Sequence, residues 1–206
     1  MKKVILYIHG KNGSHLETSE YKKNCINFDI IGLEYNDYLP WVVKNQIILK
    51  YEELKNIYDQ IWIIANSIGA YFAMLALQNK KIEKSLFISP ITDMEKLIIE
   101  MMEFAHISEE NLKEKGEIIT DFGETLSWVY LDYVRKNPIK WNIPTEILYG
   151  EKDNLVSVAT IYKFIDTHNA KLTIFKNGEH WFHTKEQIAF LNEWMKKGTQ
   201  FSSLIN

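Results

Sequence analysis

The sequence predicts an α/β fold: a doubly wound, mostly parallel six-stranded sheet with helices on both faces and a small helical insertion. Three observations predict it. Short runs of β-branched and other apolar residues recur with helix-period segments between them, and strands separated by helices imply right-handed crossovers between parallel strands. The runs are too uniformly apolar for a sheet with one wet face, so both faces must be covered. At Ala65-Asn66-Ser67-Ile68-Gly69 a strand-like run passes directly into a segment apolar on nearly every side, as a buried helix is.

The chain has 206 residues, 46% of them hydrophobic, which is enough for one well-filled core and short for two. A single domain over 1–206 is expected, with an insertion at about 91–141. Lys and Arg number 24 against 27 Asp and Glu, a net charge of −3 with the signs mixed along the chain. No basic stripe marks a nucleic-acid partner, which points instead to a small-molecule substrate. A lone cysteine, Cys25, excludes an internal disulfide and fits a reducing compartment. The start imitates a secretory signal, but its apolar run stops at His9-Gly10 with no small-residue cleavage site. No run approaches the roughly 20 apolar residues of a membrane span, so a cytoplasmic, soluble protein is expected. Oligomeric state is not legible.

The elements follow in order. Residues 4–8 form the first strand, and His9-Gly10-Lys11-Asn12-Gly13-Ser14 is a glycine-bearing loop that turns backbone N–H groups above the sheet edge. A short helix and a strand over 28–35 come next. Pro40 suits a first helical position, and helical patterning continues to about Tyr58. The third strand runs into Ser67, and 85–89 gives a fourth, closed by Pro90. From 91 to about 141 the pattern is helical alone. Thr92 and Glu95 have capping-box spacing ahead of Met94, Leu97, Ile98, Met101 and Ala105 on one face. Ser108 opens a second helix that Gly116 ends, and Leu126, Tyr130, Tyr133 and Val134 suggest a third, stopped before Pro138. Such an insertion usually sits over the sheet edge, as a cap. A strand at 145–149, a helix from near Ser157 and a strand at 172–175 follow. The last helix opens with Thr184 and Gln187 as a capping box and buries Ile188, Leu191, Trp194 and Met195.

A serine hydroxyl is a poor nucleophile until a base takes its proton, and the base needs a third group to hold its tautomer. Two loops leaving carboxyl ends of later strands carry the partners: Tyr149-Gly150-Glu151-Lys152-Asp153-Asn154 and Lys176-Asn177-Gly178-Glu179-His180-Trp181-Phe182-His183. The chain order is Ser67, Asp153, His180. With the strand-to-helix turn at Ser67, this set resembles the α/β-hydrolase superfamily over nearly the whole chain, with Ala65 in place of the usual first glycine of the nucleophile elbow and Asn66 where many relatives carry histidine. The resemblance implies a reduced fold lacking the family's first two strands.

It further implies Ser67 as nucleophile, His180 as general base and acid, and Asp153 as orienting carboxylate. The oxyanion hole would use the backbone N–H of Ile68 and one from the loop after strand one, with Lys11 preferred and Asn12 the alternative. No cofactor and no metal are implied. Glu151 competes with Asp153, and His183 with His180. His180, His183 and Glu179 could pair on a metal, but no further His or Cys cluster accompanies them. His9 reads as a loop-fixing residue, and Asp121-Phe122-Gly123 as a chance likeness to a kinase motif. Met94, Met101, Met102, Phe104 and Trp128 read first as core residues; as a pocket wall, with Trp181 and Phe182 beside the base, they would suit an apolar acyl group or alcohol. The expected activity is cleavage of a small or medium carboxylic ester through an acyl-enzyme. A thioester, amide or carbon–carbon bond is the alternative for the same triad, and a ligand-binding protein that kept the fold is the alternative in class.

Overall fold

The computed structural model describes residues 1–200. Residues Met1–Thr92 with 141–200 form one compact unit, and Asp93–Lys140 forms a second. The first unit carries strands β1 (Lys3–Ile8), β2 (Asp29–Gly32), β3 (Gln60–Asn66) and β4 (Lys84–Ile88). Its short helix α1 (Thr18–Tyr21) is followed by α2 (Pro40–Leu54) and α3 (Ile68–Leu77). The second holds α4 (Met94–Phe104), α5 (Glu109–Lys115), strands β5 (Glu117–Ile119) and β6 (Thr125–Ser127), and α6 (Trp128–Lys136). The chain then returns to the first unit through β7 (Thr145–Gly150), α7 (Val158–Thr167), β8 (Ala170–Phe175) and α8 (Lys185–Thr199).

The main sheet has six strands in the order β2-β1-β3-β4-β7-β8, every pair parallel. Register assigns the faces. Ile5 lies opposite Trp62, Tyr7 opposite Ile64 and Ile64 opposite Leu86. These residues share one buried cluster with Ile88, Leu148, Tyr21 and Phe28, closed by Leu191, Trp194 and Met195 of α8. Burial of Leu191 or Met195 stabilises by roughly 1.5–3 kcal/mol each. The alternate residues Val4, Leu6, Ile8, Ile61, Ile63 and Ala65 are buried on the opposite face. α3 packs against β1 and β3, and α2 against α3. Two covered faces account for the unbroken apolar runs.

Several boundaries and faces differ from expectation. β2 is shorter than 28–35: after Gly32 only the Leu33 N–H still reaches Tyr7 O, at 2.9 Å. In α8 the capping box at Thr184 and Gln187 forms, but Ile188 is 42% exposed. Gln187 turns inward so that its carboxamide accepts the His183 N–H at 3.0 Å, which rotates the buried face to Gln187, Leu191, Trp194 and Met195.

The second unit is not all helix. β5 and β6 pair antiparallel around Asp121-Phe122-Gly123, where Gly123 takes φ 87° and donates to Thr120 O at 3.0 Å. Three-residue strands are too short to show a period. Leu126 therefore sits in β6, and α6 buries Leu131 and Val134. The cap of α4 is Asp93, not Thr92: its Oδ1 accepts the Lys96 N–H at 3.1 Å, and the buried face takes Met102 in place of Met101. Ser108 caps α5 and Gly116 ends it at φ 76°, as expected. Arg135 ties the three helices, donating from Nε to Glu95 and in a fork to both carboxylate oxygens of Glu109. Among the described residues no helix is long and apolar enough to cross a membrane.

Candidate active site

Ser67 stands between β3 and α3 at φ 50° and ψ −120°, backbone that a non-glycine residue rarely adopts. The surroundings over-determine this conformation. The Ser67 N–H donates to Ile88 O at 3.0 Å, and its carbonyl accepts from Ala70 and Ile91 N–H, both at 3.1 Å. Gly69 allows the start of α3 to press onto the end of β1, where any Cβ would clash with the carbonyl oxygens of Ile8 and His9. Ser67 and Ile68 are half-buried at the carboxyl edge of the sheet.

The acid and base loops meet there, held to each other by main chain. The Lys152 N–H donates to Gly178 O at 2.7 Å and the Glu151 N–H to Phe175 O at 3.1 Å. A Cβ on Gly150 would collide with Glu179 O and Gly178, so only glycine permits the approach. The side chain of Glu151 accepts the Asn177 N–H at 2.9 Å, which gives this rival carboxylate a loop-fixing place instead.

Asp153 has a fully buried side chain with three hydrogen bonds. Its Oδ1 accepts the N–H groups of Leu155 and Val156, both at 2.9 Å, and its Oδ2 lies 2.7 Å from His180 Nδ1. A carboxylate can only accept, so Nδ1 carries the imidazole proton and Nε2 presents a lone pair. That Nε2 is 2.9 Å from Ser67 Oγ. The structure thus brings Ser67, His180 and Asp153 into one hydrogen-bonded line. His183 is left on the surface, bonded to Trp181 O at 2.9 Å and 3.3 Å from Glu179. Among the described residues no group of three or more His, Cys, Asp or Glu is placed to hold a metal ion. Phe182 packs toward Phe175 and the α8-side core, while Trp181 is 68% exposed. Beside the acid loop, burial and then the Asp153 charge push the Tyr149 phenol up to about 12.

The loop after β1 lies against the nucleophile: a Cβ on Gly10 would be 3.3 Å from Ser67 Cβ. Lys11 is the next residue. The Asn12 N–H donates to Tyr38 Oη at 3.1 Å, which weighs against Asn12 as the second oxyanion donor. His9 is buried, its Nδ1 2.8 Å from Gly10 O, its ring stacked on Tyr35 at 4.0 Å and its carbonyl accepting from Tyr35 Oη.

Sequence reasoning missed the residues that hold this loop. Glu17 accepts the Ser14 N–H at 2.9 Å and the Tyr7 hydroxyl. Asn66 donates to Tyr7 Oη at 3.0 Å and Tyr21 Oη at 3.2 Å. Burial is the first cause raising the Tyr7, Tyr21 and Tyr35 phenols, which stay protonated, and of these Tyr7 donates to Glu17 and Tyr35 to His9 O. One signal was available: Ser14-His15-Leu16-Glu17 has capping-box spacing, and the structure forms that box. The Tyr7 and Asn66 contact needed register, since only pairing puts residue 7 and residue 66 on the same face.

No protein-family model matches the chain, and neither does any curated protein sequence. Solved structures do. Est1E from Butyrivibrio proteoclasticus is similar at TM-score 0.77 and 16% identity, covering 95% of this chain and 86% of its own. Mouse alpha/beta hydrolase domain-containing protein 10 matches at TM-score 0.72 and 15% identity, over 94% of this chain and 88% of that one. A Pyrococcus furiosus esterase matches at 0.58 and 17%, over 97% and 84%. Identities this low speak to architecture alone, and with the parallel sheet and the strained serine turn they establish it: the chain has the α/β-hydrolase fold, in a reduced six-stranded form.

Proposed function

We propose that the chain is a serine hydrolase acting on small or medium carboxylic esters. The observation that carries the reading is the continuous line Asp153 Oδ2, His180 Nδ1, His180 Nε2, Ser67 Oγ, with steps of 2.7 and 2.9 Å, built around a serine held at positive φ. The similar Pyrococcus furiosus structure is named as an esterase, which supports the ester bond among acyl substrates.

In the proposed reaction Ser67 Oγ attacks the ester carbonyl while its proton passes to His180 Nε2. The backbone N–H groups of Ile68 and Lys11 receive the oxyanion, and His180 returns the proton to the departing alcohol as the carbonyl–oxygen bond breaks. Water, deprotonated by the same Nε2, then attacks the acyl carbon and releases the acid and Ser67. Asp153 keeps the Nδ1 proton in place throughout and stabilises the imidazolium. The insertion at about 91–141 is proposed as a small helical cap, and the lone Cys25 supports a cytoplasmic location.

Turnover of p-nitrophenyl acetate and longer p-nitrophenyl esters tests the reading, with matched thioesters and anilides to fix the bond type. Ser67→Ala should fold normally and lose about 10⁵–10⁶ in kcat. Retained turnover in that variant would place the chemistry elsewhere.

A further inference from the structure

The loop 9–14 is irregular, yet a backbone donor within it serves the oxyanion only if it is held within about 0.5 Å of its working position. A hydrogen-bonded chain of side chains links that loop to the nucleophile turn. It starts at the Ser14 N–H, which Glu17 Oε1 accepts at 2.9 Å. The other carboxylate oxygen of Glu17 accepts the hydroxyl proton of Tyr7, a fully buried residue of β1. The Tyr7 oxygen in turn accepts from Asn66 Nδ2 at 3.0 Å, and Asn66 is the residue immediately before Ser67. Donors and acceptors alternate without conflict: Asn66 gives, Tyr7 receives and gives, Glu17 receives twice.

We infer that Glu17 and Tyr7 are positioning residues that set the separation between the β1 loop and the Ser67 turn, and through it the aim of the two oxyanion donors. The inference rests on the serine-hydrolase reading above. Neither side chain touches the line of Ser67, His180 and Asp153, whose hydrogen bonds are separate. Their loss should therefore leave nucleophile activation intact and weaken stabilisation of the tetrahedral state.

Glu17→Gln keeps a carbonyl for the Ser14 N–H but replaces the oxygen facing Tyr7 by an NH2 group that cannot accept, so the Tyr7 hydroxyl proton loses its carboxylate acceptor. Tyr7→Phe removes both bonds at the ring oxygen. The test measures kcat and KM for p-nitrophenyl acetate, normalised to the folded fraction by circular dichroism, together with inhibition by a trifluoromethyl ketone as tetrahedral mimic. Expected are a fall of about 10- to 100-fold in kcat with little change in KM, a matching loss of ketone affinity, an unmoved pH midpoint for kcat, and a double variant no worse than Tyr7→Phe. Folded variants within about twofold of wild type in kcat and ketone affinity would overturn the inference while leaving the serine hydrolase intact. So would losses that track the unfolded fraction alone. If Tyr7→Phe does not fold, Glu17→Gln decides by the same criteria. A wild-type protein that turns over no acyl substrate and does not react with a fluorophosphonate would instead overturn the parent reading, and the inference with it.

Discussion

The two flanks of Ser67 are held by different means. On one side, the acid and base loops grip each other through main chain: Lys152 N–H to Gly178 O, Glu151 N–H to Phe175 O, with Gly150 against the Glu179 carbonyl. On the other, the loop after β1 is tied by side chains, namely Glu17 to Ser14, Tyr38 to Asn12 and Tyr35 to His9. The difference teaches where substitutions can act. Main-chain ties survive the loss of nearly any side chain and fail only where a glycine gains a Cβ, whereas side-chain ties fail one functional group at a time.

Within these two flanks, the largest expected effect comes from breaking the acid step while sparing both kinds of tie. Asp153→Asn can still fill its site, but its amide can offer an N–H toward His180 Nδ1 and favour the wrong tautomer, so kcat should fall about 10⁴-fold with a near-normal fold. Steady-state kinetics and circular dichroism check both halves.

Gly150→Ala attacks the main-chain flank directly. The added methyl meets the Glu179 carbonyl, two elements away in sequence and one residue from His180, so a loss of about 1–3 kcal/mol in stability and about 10² in kcat is expected. Lys152→Ala, whose tie is its backbone N–H, should stay within about twofold in kcat and within about 0.5 kcal/mol in stability. Urea unfolding and kinetics on the pair separate the two. Equal damage from both would show that the acid and base loops depend on side chains after all.

The smallest effect concerns one of the side-chain ties on that flank, the Tyr149 hydroxyl to Val156 O at 2.7 Å. Tyr149 is pushed up from an ordinary 10 to about 12, and buried Cys25 from about 9 to about 11. Both groups are held protonated by the fold and released in the unfolded chain. Their contribution is therefore complete below the ordinary values and declines as pH rises from about 9 through about 12. The urea midpoint should fall across that window, and Tyr149→Phe should flatten the upper part of the decline.

The legible part of the fold was the part governed by period and by small-residue punctuation. The parallel strands in their order, the turn at Ser67, and the helix starts at Ser108, Ser157 and Thr184 lie where the sequence placed them, though β2 and β8 differ in their bounds. Short strands were not legible, because 117–119 and 125–127 are each too brief to show alternation beside the helices that flank them. The face of a helix is decided by which residue its cap turns inward, so Gln187 displaced Ile188. At the site, chain order suits Glu151 and His183 as well as Asp153 and His180, and the structure gives each rival a different partner. The Tyr7, Asn66 and Glu17 chain was hidden because two of its members read as strand residues. Their meeting depends on a register that pairing alone fixes.

The central claim, that Ser67 is an activated nucleophile, is tested most directly by intact-mass analysis after exposure to a fluorophosphonate, with peptide mapping of the adduct. Such reagents modify serines that have a working base and oxyanion hole. The account predicts one equivalent of adduct on Ser67 in the wild-type protein and none in His180→Ala. An unmodified folded protein, or an adduct on another residue that persists in Ser67→Ala, would contradict it.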